Sequence, residues 1–103
     1  MKEIIELNEC PEALITEVQS YLERQPKAEI LSVQTWTSTP YKDTTIIDTA
    51  YTVYTLVGNY FKIFSIRRST NEEYNVASVR VNGMIAGEIA EIIKLSPEWF
   101  QNL

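Results

Sequence analysis

The sequence predicts an α+β fold, a two-layer sandwich with two helices on one face of a four- to five-stranded mixed sheet. Three observations carry this expectation. Ile46 to Arg67 reads as one long β-hairpin around Val57-Gly58-Asn59-Tyr60. Leu14, Ile15, Val18, Tyr21 and Leu22 recur at the spacing of one helix face. A second such stripe, Ile85, Ile89, Ile92 and Ile93, lies further along the chain. The order is β-α-β-β-β-(β)-α, and 103 residues form a single domain.

Lys2 to Leu7 alternates weakly, with Ile5 and Leu7 on one side, and makes a short first strand. A helix starts between Asn8 and Pro11, with Asn8 or Cys10 as cap, and Pro26 ends it. Ala28 to Ser38 is rich in β-branched residues and forms the next strand. A strand, a helix and a strand in succession imply a right-handed crossover with the two strands parallel. Thr37 to Thr45 is a polar connection into the hairpin. There Gly58 and Asn59 suit the positive φ of a two-residue turn. That turn sets Leu56 against Phe61 and Tyr54 against Ile63 on one face. On the other it sets Val57 against Tyr60, Val53 against Phe64 and Tyr51 against Ile66. Arg68 to Asn75 is a loop by composition, and Val76 to Val81 alternates as a fifth strand or an extended lead-in. Asn82 then caps the second helix, and Trp99, Phe100 and Leu103 fold back toward the body.

Composition bounds the function. No apolar run approaches the ~20 residues that a membrane-spanning helix needs, and acids interrupt the N-terminal segment where a signal peptide would be apolar. A single cysteine, Cys10, excludes an internal disulfide and fits a reducing compartment, the cytoplasm. Net charge is −5, and residues 1–50 hold nine acids against four bases. Such a half repels a phosphate backbone, so nucleic acid is not an expected partner.

Catalytic chemistry is thin. The chain has no histidine, which removes the commonest general base and metal ligand. Cys10 alone cannot build a zinc site, and without a partner base it reads as a packing residue. The Glu88/Glu91 and Glu72/Glu73 pairs read as solvated surface rather than a split-pKa acid and base. Leu56 to Tyr60 resembles the strand motif of RNA-recognition domains, and Gly83 to Ile89 the glycine loop of KH domains. The first turns back into a strand, and the second has the wrong glycine spacing and no basic residue. No enzyme, cofactor or metal is expected.

Two candidate sites remain. The hairpin is apolar on both faces near its turn, so one face is left for a partner once helices cover the other. Tyr51, Val53, Tyr60 and Phe64 are the expected partner-binding residues, and a homo-oligomer, most simply a dimer, follows. The second site is Arg67, Arg68, Tyr74 and Arg80, with Lys62 and Trp36 nearby, which suits a small anionic, nucleotide-like ligand at a subunit interface. The plainer reading is a cross-strand ion pair of Arg67 or Arg68 with Asp48 on a solvated face. The first expectation is therefore a non-enzymatic, acidic, cytoplasmic binding protein that occupies a protein partner. Small acidic single domains of this kind are frequent among bacterial and phage accessory and inhibitor proteins.

One outcome follows from charge alone. Duplex DNA should not be bound at nanomolar concentration near physiological salt, since clustered cations for ~6–10 phosphate contacts are missing. A salt-sensitive mobility shift at such concentrations would contradict this.

Overall fold

A computed structural model describes residues 2–39, 45–75 and 78–85, with Lys2, Tyr74, Met84 and Ile85 described by backbone alone. Five strands form one sheet in sequence order: β1 (Lys2–Ile4), β2 (Glu29–Ser38), β3 (Asp48–Val57), β4 (Tyr60–Ser69) and β5 (Arg80–Ile85). Helix α1 (Glu12–Arg24) lies between β1 and β2 in the chain and packs on one face. Short 3-10 turns occupy Leu7–Glu9 and Glu72–Tyr74.

Every strand pair is antiparallel, so the expected mixed sheet and parallel β1–β2 pair are corrected. The length of β1 explains why. It pairs Lys2 with Trp36 and Ile4 with Gln34, and the Ile5 N–H donates to the Val33 carbonyl at 3.0 Å. The chain thus leaves the edge halfway along β2. A crossover to a parallel strand needs a helix that returns along the strand it follows. Here α1 instead carries on in the direction of β1 and delivers the chain to the start of β2.

Local chemistry sets the ends of α1. Glu6 and Glu9 form a reciprocal capping box around the preceding 3-10 turn, the Glu6 N–H donating to Glu9 Oε2 at 2.7 Å. Pro11, rather than Asn8 or Cys10, is the N-cap. Its missing N–H costs nothing there, and its carbonyl accepts from Leu14 and Ile15. Gln25 closes the other end by donating to the Tyr21 carbonyl at 2.9 Å, and Pro26 prevents continuation.

The hairpin has the register that its turn dictates. Gly58 takes φ +57°, and Val57 pairs with Tyr60, Leu56 with Phe61, Tyr54 with Ile63 and Val53 with Phe64. Cross-strand partners share a face, and alternate residues switch faces. One row across the sheet is therefore Val33, Val53, Phe64 and Val81, and the next is Thr35, Tyr51 and Ile66. This is the face that α1 covers. Leu14, Val18 and Tyr21 bury against Val33, Val53, Phe64 and Ile66, with Cys10 at the helix start and Ile15 and Leu22 at the margin. Full burial of one such apolar side chain contributes about 1.5–3 kcal/mol. Tyr21 meets Phe64 with ring centroids 5.4 Å apart, and Lys62 Nζ lies 4.4 Å from the Tyr21 ring centre. That contact adds about 0.5–1 kcal/mol at a part-exposed site.

The end of the sheet departs from expectation. Asn82 pairs with Ile63 inside β5 and Gly83 with Lys62, so Asn82 is a strand residue and caps no helix. Gly83 lies under its neighbour: a Cβ there would stand 1.7 Å from the Tyr60 hydroxyl and would displace that exposed ring. The remaining positions of the second stripe, Ile89, Ile92 and Ile93, lie outside the described residues, as do Val76, Trp99, Phe100 and Leu103. Among the described residues α1 is the single α-helix.

Leu14→Ala should destabilise the fold by about 2–5 kcal/mol, because Leu14 is wholly enclosed between α1 and the sheet. Leu22→Ala, at the half-buried margin, should cost less. Urea denaturation measures both. A loss below about 1 kcal/mol at Leu14 would mean that α1 packs on the sheet by another face.

Candidate functional site

The sheet face opposite α1 is built from the other parity. Its rows are Ser32, Tyr54, Ile63 and Asn82, then Gln34, Thr52, Ser65 and Arg80, then Trp36, Ala50 and Arg67. The first row lies toward the turn, where Tyr54 and Ile63 are buried, and Gln34 Nε2 donates to Ser32 Oγ at 3.1 Å. The far end is open. Trp36 is 52% exposed and Ile4, opposite Gln34, 67% exposed.

At this open end Ala50, Thr52, Ser65, Ile66, Arg67 and Arg80 line a hollow of about 240 Å³. Sequence creates it in two ways. Small residues at 50, 52 and 65 fall side by side across β3 and β4, between the bulk of Trp36 and the two arginines. In addition β5 begins at Arg80 opposite Ser65, leaving β4 beyond that point without a β5 partner.

Arg67 is fixed in place. Its Nε donates to Asp48 Oδ2 at 2.9 Å, and its Nη2 donates to the same oxygen. Asp48 is almost wholly buried. The Arg67 hydrogen bond holds the Asp48 carboxyl below its ordinary value, with a lesser contribution from Ser69 across the strand, while burial opposes both. The pair is thus the cross-strand ion pair that the register brings within diagonal reach.

The expected anion cluster is divided. Arg67 and Arg80 share the hollow. Arg68 pairs with Thr49, whose parity belongs to the α1 side, and its Nη1 donates to the Arg67 carbonyl at 3.3 Å. Lys62 also lies on the α1 side, over Tyr21. Tyr74 ends the 3-10 turn Glu72–Tyr74, and its side chain is outside the described part. Trp36 shares the face of Arg67, with Ala50 between them.

The expected partner surface is divided as well. Val53 and Phe64 are 0% and 2% exposed and belong to the chain's own core, so neither presents a surface. Tyr51 is half-buried at the core margin, and Tyr60 is exposed beside the turn over Gly83. The cause is parity, since these four residues all lie on the α1 side. Residues that sequence reasoning passed over as parts of a site are Ala50, Thr52 and Ser65, whereas Asp48 was expected as an ion-pair partner. A signal for them was present: once Gly58-Asn59 fixes the register, they fall into adjacent rows with Arg67 and Trp36.

Cys10 is buried in the core, and burial, then Glu9, raises its thiol pKa, which leaves it a poor nucleophile. Among the described residues no group of three or more Cys, Asp or Glu side chains could hold a metal ion, and no helix is long and apolar enough to cross a membrane.

The Asp48 carboxyl gives a pH test. Its folded pKa is depressed, so its stabilisation is complete above the unfolded value, about 3.9. It is lost as pH falls through the folded value. Asp48→Asn should lower the melting temperature at neutral pH and flatten its decline below about pH 4. An unchanged acid limb in the variant would remove Asp48 from that role. Compared with known proteins, the chain matches no family model, no curated protein and no solved structure.

Proposed function

We propose that this protein is a non-enzymatic binding module that occupies a protein partner through the open end of the sheet face opposite α1. The observation that carries this reading is Trp36, half exposed beside Ile4 and next to the arginine-lined hollow. Binding energy at protein interfaces concentrates in aromatic and arginine anchors that a partner can desolvate. A sheet face is also rigid, so little ordering entropy opposes docking. The buried, unreactive Cys10 supports a binding role over thiol chemistry and fits a cytoplasmic protein. An accessory or inhibitory role in a bacterium or phage is the corresponding biological setting. In the absence of that partner the same face would pair two copies in a dimer, since an isologous contact needs one self-complementary patch.

A second reading is favoured by the hollow itself: Arg67 and Arg80 together suit a small anionic ligand. At about 240 Å³ the space lies below the ~300–1,000 Å³ usual for drug-sized ligands, so a whole nucleotide is disfavoured.

Sedimentation at tens of micromolar should give a species of about twice 11.9 kDa. Trp36→Ala should weaken self-association and partner capture by ~2 kcal/mol or more, while Tyr60→Ala leaves both nearly unchanged. A species of 11.9 kDa would remove the dimer. Full partner capture by Trp36→Ala would remove this docking face.

A further inference from the structure

The hollow beside Arg80 has the shape and charge of a site for one particular group. Thr52, Ser65 and Arg80 stand in a single cross-strand row, so their polar ends converge on one side of the sheet. Among the described residues the two hydroxyls and the Arg80 guanidinium have no hydrogen-bond or ion-pair partner. Arg67 differs, because Asp48 fixes its orientation and cancels its charge. Two arginines and one carboxylate leave a net charge of about +1 at the hollow. A phosphate dianion would be undercompensated there, whereas a planar monoanion would be matched. A guanidinium fork presents two parallel N–H donors at the spacing of carboxylate oxygens. The hydroxyls of Thr52 and Ser65 can donate to the lone pairs that the fork leaves over. The Ala50 methyl gives an apolar wall suited to the alkyl stem that carries such a group.

We propose that this hollow binds a carboxylate, with Arg80, Thr52 and Ser65 as its donors and the Asp48-held Arg67 as its fixed wall. The group has two sources, a free short-chain acid or an acidic side chain of a polypeptide lying across the sheet. The assignment of the site stands on the hollow alone. Only the polypeptide source rests on the docking proposed above.

The test uses the full chain labelled with nitrogen-15. Arginine Nε–H signals and the amides of Thr52 and Ser65 are followed by NMR near neutral pH. Sodium acetate, the peptide acetyl-Ala-Glu-Ala-amide, sodium phosphate and sodium chloride are titrated at matched ionic strength. Acetate and the peptide should give saturable shifts at Arg80, Thr52 and Ser65, chloride none, and phosphate a weaker response than acetate. Arg80→Gln should abolish saturation, and Arg24→Gln, at the exposed end of α1, should preserve it. Should Arg80→Gln fail to fold, Ser65→Leu fills the hollow and should abolish saturation while the spectrum elsewhere is kept. A peptide bound about tenfold or more tightly than acetate, near 1.4 kcal/mol, supports the polypeptide source, and equal affinities support the free acid. No saturable response to acetate, tighter binding of phosphate, or an undiminished response in both site variants would overturn the proposal. Carboxylate binding that persists while Trp36→Ala leaves partner capture intact would retain the site and discard the docking face.

Discussion

Everything in this structure depends on the parity of the β3–β4 hairpin. Gly58 alone takes positive φ among the described residues, and the two-residue turn that it permits locks Val53 opposite Phe64. Every other pair along both strands then follows. A slip of one residue would exchange the two faces completely. Thr55 reinforces the register from within, its buried hydroxyl donating to the Lys62 carbonyl at 2.8 Å. Because register decides the face, it decides at once which residues make the core and which are left for recognition.

Parity also explains what was legible in the sequence. The hairpin, its turn and its pairing could be read from Gly58-Asn59 and the alternation around it. So could the stripe of α1, because Leu14, Val18 and Tyr21 can meet a sheet on one side only. Which face α1 covers was not legible from the hairpin, since Tyr54, Ile63, Leu56 and Phe61 are as apolar as Val53 and Phe64. The neighbouring strands decide it. Val33 and Val81 continue the Val53–Phe64 row, while Ser32 and Asn82 flank Tyr54 and Ile63. Helix α1 settles on the face that is apolar across four strands. The direction of β1 was hidden for a different reason. Strand, helix and strand in sequence look alike whether the first strand is long enough to need a return or short enough to be overrun.

The candidate site follows from the same geometry. Asp48 and Arg67 lie on neighbouring rows of one face, so the ion pair is a consequence of register. With Asp48 buried and Arg67 nearly half exposed, the pair is weak evidence of stability, because desolvation of the carboxylate offsets much of the attraction and water screens the rest. Its better-founded effect is local: it fixes one guanidinium of the hollow and, among the described residues, leaves the other, at Arg80, without a carboxylate partner. Sequence composition showed three arginines together. Strand alternation sends Arg68 to the side of α1, which no composition could show.

The most direct measurement of this parity is a methyl NOESY spectrum of the full chain. The Val18 and Leu14 methyls should give strong cross-peaks to Val53 and to the Phe64 ring, and none to Tyr54 or Ile63. Cross-peaks from α1 to Tyr54 and Ile63 instead would contradict it. They would turn the hairpin over, place Val53 and Phe64 on the face opposite α1, and take the arginine-lined hollow beneath the helix.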